Sequence, residues 1–203
     1  MRALWVILVA ISLIGCAGNK TPVWVRGASK LENKWGHYSG YVEARWENDG
    51  RNMTLLNELR YTDPDGVVWI APVGAVVDGA SIPRSLWSLM GGPFEGKYRN
   101  ASVLHDVSYD QHNKPWQQCD RMFYNAMRCS GVSAVEAGTM YYALRKFGHH
   151  WKHPKAEPVK VADEIVARAE PVNQGDINTT RDWIRQSAPS LEQIEQRADA
   201  QGR

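Results

Sequence analysis

Residues 54–71 read TLLNELRYTDPDGVVWIA, and this stretch decides the class of fold. Its first part, Thr54 to Tyr61, predicts a strand, and Val67 to Ala71 is a second apolar run of strand length. Between them lies Asp63-Pro64-Asp65-Gly66, whose residue types are typical of a tight turn. The stretch therefore predicts a β-hairpin.

Another strand is predicted upstream of this hairpin, and helices are predicted downstream. From His37 to Trp46, apolar and polar residues alternate as they do in a half-buried strand. Beyond Val77 the pattern changes: Ser81 is predicted to cap a short helix that ends at Gly91-Gly92-Pro93. Longer helices are predicted at about residues 99–112, 117–129 and 133–147. The predicted fold class is α+β, a small antiparallel sheet followed by a three-helix unit.

The first residues predict an export signal. Arg2 precedes an unbroken apolar run from Ala3 to Ile14, which is too short to cross a bilayer but suits a signal peptide. The run ends in Leu13-Ile14-Gly15-Cys16, which resembles a bacterial lipobox. This resemblance implies cleavage before Cys16, lipidation of its thiol, and membrane attachment. Because Ala17 follows instead of Asp, it also implies an envelope protein on the outer membrane, facing the periplasm. An ordinary signal peptide and a membrane anchor are the alternatives.

The remaining chain divides by composition. We predict a signal peptide at 1–15, a polar tether at 16–34, a globular α+β domain at 35–151, and a polar, partly helical C-terminal extension at 152–203. The 24 Lys and Arg residues nearly balance the 22 Asp and Glu residues, which argues against a nucleic-acid partner. Cys119 and Cys129 fall on one predicted helix about 15 Å apart, beyond disulfide reach.

The candidate chemistry lies on two predicted helices. On the first, His105 and Tyr109 share a face, while Asp106 points about 100° away. On the second, Asp120 falls on the apolar stripe that carries Phe123, so its carboxylate is directed toward the core and needs a partner. We expect His105 to be that partner, since a carboxylate on one imidazole nitrogen leaves the other free to accept a proton from water.

Two family resemblances follow from these motifs. Residues 55–151 resemble an uncharacterised phage and proteobacterial domain family, through the following matches: Pro72-x-Gly74, Asp78-Gly79-Ala80-Ser81-Ile82-Pro83, Trp87 and His105-Asp106-x-x-Tyr109. The second resemblance is to secreted phospholipase A₂, in which a helix carries H-D-x-x-Y and the next helix carries an Asp, often as C-D-R; here that is Cys119-Asp120-Arg121.

The phospholipase resemblance implies a role for each residue of the motif. His105 would be the general base, Asp120 the carboxylate that orients it, and Tyr109 a support for both. Asp106 would bind Ca²⁺, with the carbonyls of Gly91 and Gly92 completing the metal site, although this glycine loop lies closer to the histidine than in the secreted enzymes. The implied function is a calcium-assisted esterase acting on phospholipid.

Several alternatives remain open from the sequence alone. His105 and Asp106 could form a polar network that only fixes helix packing. The chain could be a non-enzymatic lipoprotein that binds an envelope or phage component through tryptophan side chains. It could also be a metal-dependent peptidoglycan hydrolase using His105, Asp106 and His112.

Two further groups of polar residues have simpler interpretations. Asp78 and Ser81 would suit a serine hydrolase, but their sequence is equally typical of a turn. His149, His150 and His153 would suit a zinc site, but they lie between Gly148 and Pro154, as at a solvated helix end.

Overall fold

The computed structural model describes residues 34–79, 92, 94–151 and 172–201. Cys16, the helix expected after Ser81, and Gly91 lie outside these residues. Within these residues, six short strands precede five longer helices, which confirms the α+β class. The strands are β1 (His37–Ser39), β2 (Ala44–Trp46), β3 (Met53–Leu55), β4 (Leu59–Thr62), β5 (Val68–Ala71) and β6 (Val76–Val77).

The six strands form two antiparallel sheets, in the orders β1-β4-β5 and β2-β3-β6. The two long strands predicted from the sequence are each divided between these sheets. Both halves keep one register, since His37 lies opposite Thr62 and Ala44 lies opposite Leu55. The two strands therefore form one antiparallel ribbon that bends between the sheets.

Gly40 lies at the bend of this ribbon. Its φ is +86°, and a Cβ at this position would lie 2.5 Å from the carbonyl oxygen of Glu58 on the opposite strand. Only glycine allows both the left-handed backbone and the close approach. The bend thus depends on a contact between residues far apart in the chain, which periodicity does not reveal.

The predicted hairpin is confirmed as the pair β4–β5. Its turn is organised by the Asp63 carboxylate, which accepts hydrogen bonds from the backbone N–H of Asp65 and of Val67 at 3.0 and 2.9 Å. The indole N–H of Trp69 donates to the other carboxylate oxygen at 3.0 Å. The tight turn predicted from the sequence is therefore stabilised by three donors to the Asp63 carboxylate.

The three central helices are α1 (Arg99–Gln111), α2 (Trp116–Cys129) and α3 (Ala134–Phe147), within about one residue of their predicted limits at most ends. Ser133 and Glu136 form a capping box at the start of α3, in which each side chain accepts a hydrogen bond from the other residue's backbone N–H. Helix α1 packs against α2 and against β4, β5 and β6, and α2 packs against α3. Cys119 and Cys129 are both buried and are not joined in a disulfide, as expected from their spacing on α2.

The described part of the C-terminal extension forms α4 (Gln174–Ser187) and α5 (Leu191–Gln201), which both pack on α3. Ile184 and Ile194 cover Gly138 of α3, where a Cβ would lie 3.1 Å from the Ile194 side chain. Ion pairs join the same surfaces, including the two hydrogen bonds between Arg145 and Asp199. Within the described ranges, no helix is long and apolar enough to cross a membrane.

Candidate functional site

Helix α1 presents His105 and Tyr109 on one face, with their ring centroids 4.0 Å apart. The Phe123 ring of α2 lies 4.8 Å from the imidazole on another side. His105 is completely buried, and Tyr109 is nearly so. The imidazole is therefore held between aromatic rings from two helices.

Asp120 of α2 connects these two residues. Its Oδ1 lies 3.0 Å from His105 Nε2 and also accepts a hydrogen bond from the Tyr109 hydroxyl. The Asp120 side chain is completely buried. Both donors bind Oδ1, whereas Oδ2 is buried and has no hydrogen-bond partner among the described residues. We refer to His105, Asp120 and Tyr109 as the triad.

The protonation of the triad follows from this geometry. Burial, and then the charge of Asp120, raise the pKa of Tyr109 well above its ordinary value, so the phenol keeps its proton and remains a donor. For His105 Nε2 to donate to a carboxylate, it must carry the ring proton. In the neutral imidazole, Nδ1 is then the basic nitrogen. Nδ1 is buried and has no hydrogen-bond partner among the described residues.

Asp106 points away from the triad, as its position on the helix predicts. Its Oδ2 accepts a hydrogen bond from the backbone N–H of Gly79 at 2.6 Å, and the residue is only 4% exposed. Asp78, next to Gly79, is paired with Arg51 at 2.8 Å. The motif that includes Asp78 and Gly79 therefore meets the H-D-x-x-Y helix at Asp106.

Asp110 is a neighbour of this region that sequence reasoning did not assign. It lies one helical turn beyond Asp106, and burial followed by the nearby charge of Asp78 raises the pKa of its carboxyl. The spacing of Asp106 and Asp110 at i and i+4 was the signal that could have identified it. Three carboxylates are therefore grouped at the end of β6.

Gly92 of the predicted calcium loop is engaged in local contacts. Its carbonyl oxygen accepts hydrogen bonds from the Tyr98 hydroxyl at 2.7 Å and from the Glu95 backbone N–H at 2.9 Å. Gly91 lies outside the described residues. In the parts of the chain that the structure covers, no three His, Cys, Asp or Glu residues are placed to hold a metal ion together. The calcium site stays a prediction.

The other histidines lie apart from the triad's hydrogen bonds. His112 ends α1 with a left-handed φ of 48°, and its ring lies 4.3 Å from Trp151 and 6.2 Å from His149. The ring of His150 stacks on Trp116 at 3.6 Å. His149 and His150 thus make aromatic contacts beyond the end of α3, and His153 lies outside the described residues.

One pocket of about 290 Å³ is formed between the β4–β5 turn and α2. Its lining includes Asp65, Trp69 and Arg121 but none of the triad residues. Arg121 donates at 2.7 Å to Glu195 of α5, which also accepts from the Tyr141 hydroxyl. This pocket is therefore distinct from the triad, although Arg121 directly follows Asp120.

Comparison with known proteins gives a family without an assigned activity. The family model described as "Protein of unknown function (DUF1353)" matches residues 53–144. Two similar proteins come from Sinorhizobium fredii (strain NBRC 101917 / NGR234). The uncharacterized protein y4jT is 38% identical over 117 residues, which are 58% of this chain and 34% of that protein. The uncharacterized protein y4iH is 31% identical over 145 residues, 71% of this chain and 60% of that protein.

These alignments cover only about a third of one relative and three fifths of the other. No solved structure matches the chain. The resemblance to an uncharacterised family, expected from the motifs of residues 55–151, is confirmed at that level. Residues 53–144, which contain the whole triad, match a family of proteins of unknown function.

Proposed function

We propose that the protein is a lipid-anchored hydrolase that cleaves phospholipid esters in the manner of phospholipase A₂, with His105 as general base. The observation that carries this proposal is the 3.0 Å contact between His105 Nε2 and the buried Asp120 carboxylate. This contact directs the basic nitrogen of the ring, Nδ1, away from Asp120. A buried nitrogen without a partner lowers stability, so its presence at this position favours a chemical role over a packing role.

The anchor is the second part of the proposal. The apolar run that ends at Leu13-Ile14-Gly15-Cys16 supports lipidation of Cys16 and attachment to the outer membrane on its periplasmic side. Attachment through Cys16 would hold the domain close to phospholipid. A lipid substrate therefore agrees with the predicted location.

The reaction follows from the protonation of the triad. His105 Nδ1 removes a proton from water, and the water oxygen attacks the ester carbonyl carbon. Asp120 stabilises the imidazolium that forms, and the Tyr109 hydroxyl holds the Asp120 carboxylate in position. The imidazolium then returns the proton to the leaving alkoxide as the ester C–O bond breaks. The products are a fatty acid and a lysophospholipid.

Asp106 is the residue that we propose to bind Ca²⁺. Carboxylate oxygens are the donors that a hard cation takes, and Asp110 and Asp78 add negative charge nearby. A bound calcium ion would stabilise the negative charge of the ester oxygen during the reaction. The Gly92 carbonyl would have to exchange its hydrogen bonds with Tyr98 and Glu95 before it could join such a site.

The imidazole is fully buried, so the proposal requires a rearrangement that admits one water molecule to Nδ1. Substrate binding is the event that we expect to open this path. The requirement gives a test, because a packing role for His105 needs no such opening.

Fatty-acid release from vesicles tests the proposal. The mature lipidated protein should be incubated with mixed phosphatidylethanolamine and phosphatidylglycerol vesicles, with calcium and with chelator. His105→Gln should lower the rate about 100-fold or more, because general base catalysis contributes about that much. His37→Gln is the matched control, since His37 is an exposed histidine on β1. It should leave the rate unchanged.

Asp106→Asn should weaken calcium binding, and excess calcium should restore part of the lost rate. Excess calcium should do nothing for His105→Gln, whose missing group is the base. If wild-type protein releases no fatty acid in either condition, or if His105→Gln matches wild type, the hydrolase proposal is wrong.

A further inference from the structure

Strand β5 is one edge of the β1-β4-β5 sheet, because among the described residues it pairs only with β4. Two of its four residues, Val68 and Ile70, are apolar side chains that are 48% and 38% exposed. They lie two residues apart in the strand, so they point to the same face of the sheet. Natural proteins usually protect an apolar edge of this kind from pairing with other strands.

The backbone groups of the same two residues point away from the rest of the sheet. Asp63 and Val67 form a hydrogen-bonded pair next to the turn, in which the Asp63 N–H donates to the Val67 carbonyl at 3.0 Å. Because such pairs alternate along an antiparallel ladder, Trp69 also directs its N–H and C=O to β4. Val68 and Ile70 therefore direct theirs outward, where they meet no partner among the described residues. The edge of β5 thus offers open donors and acceptors.

The sequence of this edge lacks the charges that would keep other strands away. Residues 67–77 read VVWIAPVGAVV and contain no charged side chain. Arg60, which lies opposite Ile70 on β4, is already paired with Glu58 at 2.5 Å. Pro72 has no N–H and ends the open stretch. The edge of β5 therefore suits a short, uncharged strand as its partner.

A second copy of β5 meets these requirements. If two β5 strands lie antiparallel, with Trp69 opposite Trp69, then Val68 of one copy lies opposite Ile70 of the other. Each outward N–H then faces a carbonyl oxygen of the other copy, and each exposed aliphatic side chain faces another aliphatic side chain. The two strands bring no like charges together, because neither carries a charge. The edge is therefore complementary to itself.

The opposite edge of the same sheet is different. It is formed by β1, whose two exposed residues, His37 and Ser39, are polar. Of the two edges of the β1-β4-β5 sheet, β5 is the apolar one. Pairing through β5 therefore uses the same surface on both copies, and it closes after two copies instead of continuing into a fibre.

We propose that two copies of the protein form a dimer through their β5 edges, which joins the two β1-β4-β5 sheets into one continuous sheet. This inference goes beyond the proposed function and requires neither the hydrolase activity nor the lipid anchor. The contact is small, so the dimer is weak and reversible, as is usual for interfaces that bury less than about 1,200 Å². Its register is fixed by the outward backbone groups of Val68 and Ile70.

Disulfide formation across the edge tests this register. Val68→Cys and Ile70→Cys, each in the full chain and with a different tag, should be mixed and oxidised. Residues opposite each other in such a ladder have Cα atoms about 5.5 Å apart, within disulfide reach. Two copies of one variant place their cysteines on a diagonal of about 7–8 Å, which exceeds that reach. The mixture should therefore give about fivefold more cross-linked dimer than either variant alone.

Two controls accompany the cross-linking. Wild-type protein gives the background from its own cysteines. A mixture of His37→Cys and Ser39→Cys has the same spacing at exposed positions of β1, on the opposite edge. It should give no more dimer than wild type does.

Charged substitutions test the same contact without cysteines. Val68→Lys combined with Ile70→Lys places lysine opposite lysine and should raise the dissociation constant of the dimer about tenfold, as measured by sedimentation at increasing protein concentration. Val68→Lys combined with Ile70→Glu places opposite charges together and should restore part of the association. Both positions are exposed, so the fold should tolerate these changes, which circular dichroism checks. If a charged variant does not fold, the cross-linking decides.

Three results would overturn the proposal. The first is wild-type protein that stays monomeric at every concentration. The second is equal cross-linking by the mixture and by the single variants, which would indicate random collisions. The third is cross-linking in cells to other proteins only, which would mean that β5 pairs with a strand of a different protein.

Discussion

The strand region of this protein exposes large apolar side chains, whereas the helical region buries polar ones. All eight exposed large apolar side chains of the described residues lie in the strand region. All seven buried polar or charged residues of the same described set lie on helices: Ser102, His105, Asp106, Ser108, Asp120, Thr139 and Thr180. A buried polar group lowers stability unless it is hydrogen-bonded, and the buried polar side chains of the helices include the hydrogen-bonded triad. The contrast places the candidate chemistry in the helical region.

Among the substitutions that test this contrast, the largest loss of stability is expected at Asp120. Asp120→Ala removes the acceptor for His105 and for the Tyr109 hydroxyl, both of which remain buried. The free energy of unfolding should fall by about 3–5 kcal/mol, as when one partner of a buried pair is lost. Urea unfolding measures it. Asp120→Asn keeps one acceptor and should cost less. Unchanged stability in Asp120→Ala would show that the carboxylate is not part of the buried network.

The next effect concerns the helices that lie beyond the family match. Ile194→Ala should lower the free energy of unfolding by about 2–4 kcal/mol, because Ile194 is buried over Gly138 of α3. Gln196→Ala is the control on the same helix, at an exposed position. Thermal unfolding should show one shared transition for Ile194→Ala and wild type. A separate early transition would mean that α4 and α5 unfold independently of the core.

The stability of the folded protein at high pH should depend on Tyr109, the buried tyrosine of the triad. The raised pKa of Tyr109 means that the folded protein keeps the phenol proton beyond about pH 10, where the unfolded chain releases it. The resulting stabilisation is complete below that pH and declines as pH rises toward the folded-state pKa, by at most about 1.4 kcal/mol per pH unit. Tyr109→Phe should therefore lose stability less steeply than wild type between pH 9 and pH 11. Parallel unfolding curves for the two proteins in that range would contradict this.

The smallest effect on folding is expected at Val76, an exposed residue of β6. Val76→Ala should change the free energy of unfolding by less than about 0.5 kcal/mol, because Val76 is 48% exposed. Its neighbour Val77 is 1% exposed, and Val77→Ala should cost about 1–3 kcal/mol through a lost core contact. Equal losses in the two variants would mean that the exposed side of β6 is as important for folding as its buried side.

Much of the helical region could be predicted because its determinants are local. Caps, glycines and apolar spacing place the ends of α1, α2 and α3, and the positions of His105 and Asp120 on adjacent helix faces predict their contact. The strand region was harder. The periodicity of residues 37–46 and 54–61 indicates strands, but the bend in both depends on Gly40 meeting the Glu58 carbonyl across the ribbon.

The packing of α4 and α5 on α3 was also not predicted from the sequence. Their surfaces are mostly polar, and only a few apolar side chains, such as Ile177, Ile184 and Ile194, are buried on each helix. The partner surface includes Gly138, whose lack of a side chain makes room for them. Such a fit depends on shape rather than on a pattern in either segment.

The central claim is that Asp120 fixes the proton of His105 on Nε2 and leaves Nδ1 as the base. Nitrogen-15 chemical shifts of the imidazole, recorded at neutral pH on labelled protein, measure this directly. The account predicts a protonated Nε2 and an unprotonated Nδ1 in wild type, with this preference weakened in Asp120→Asn. A neutral ring with its proton on Nδ1, or the same tautomer in both proteins, would contradict it.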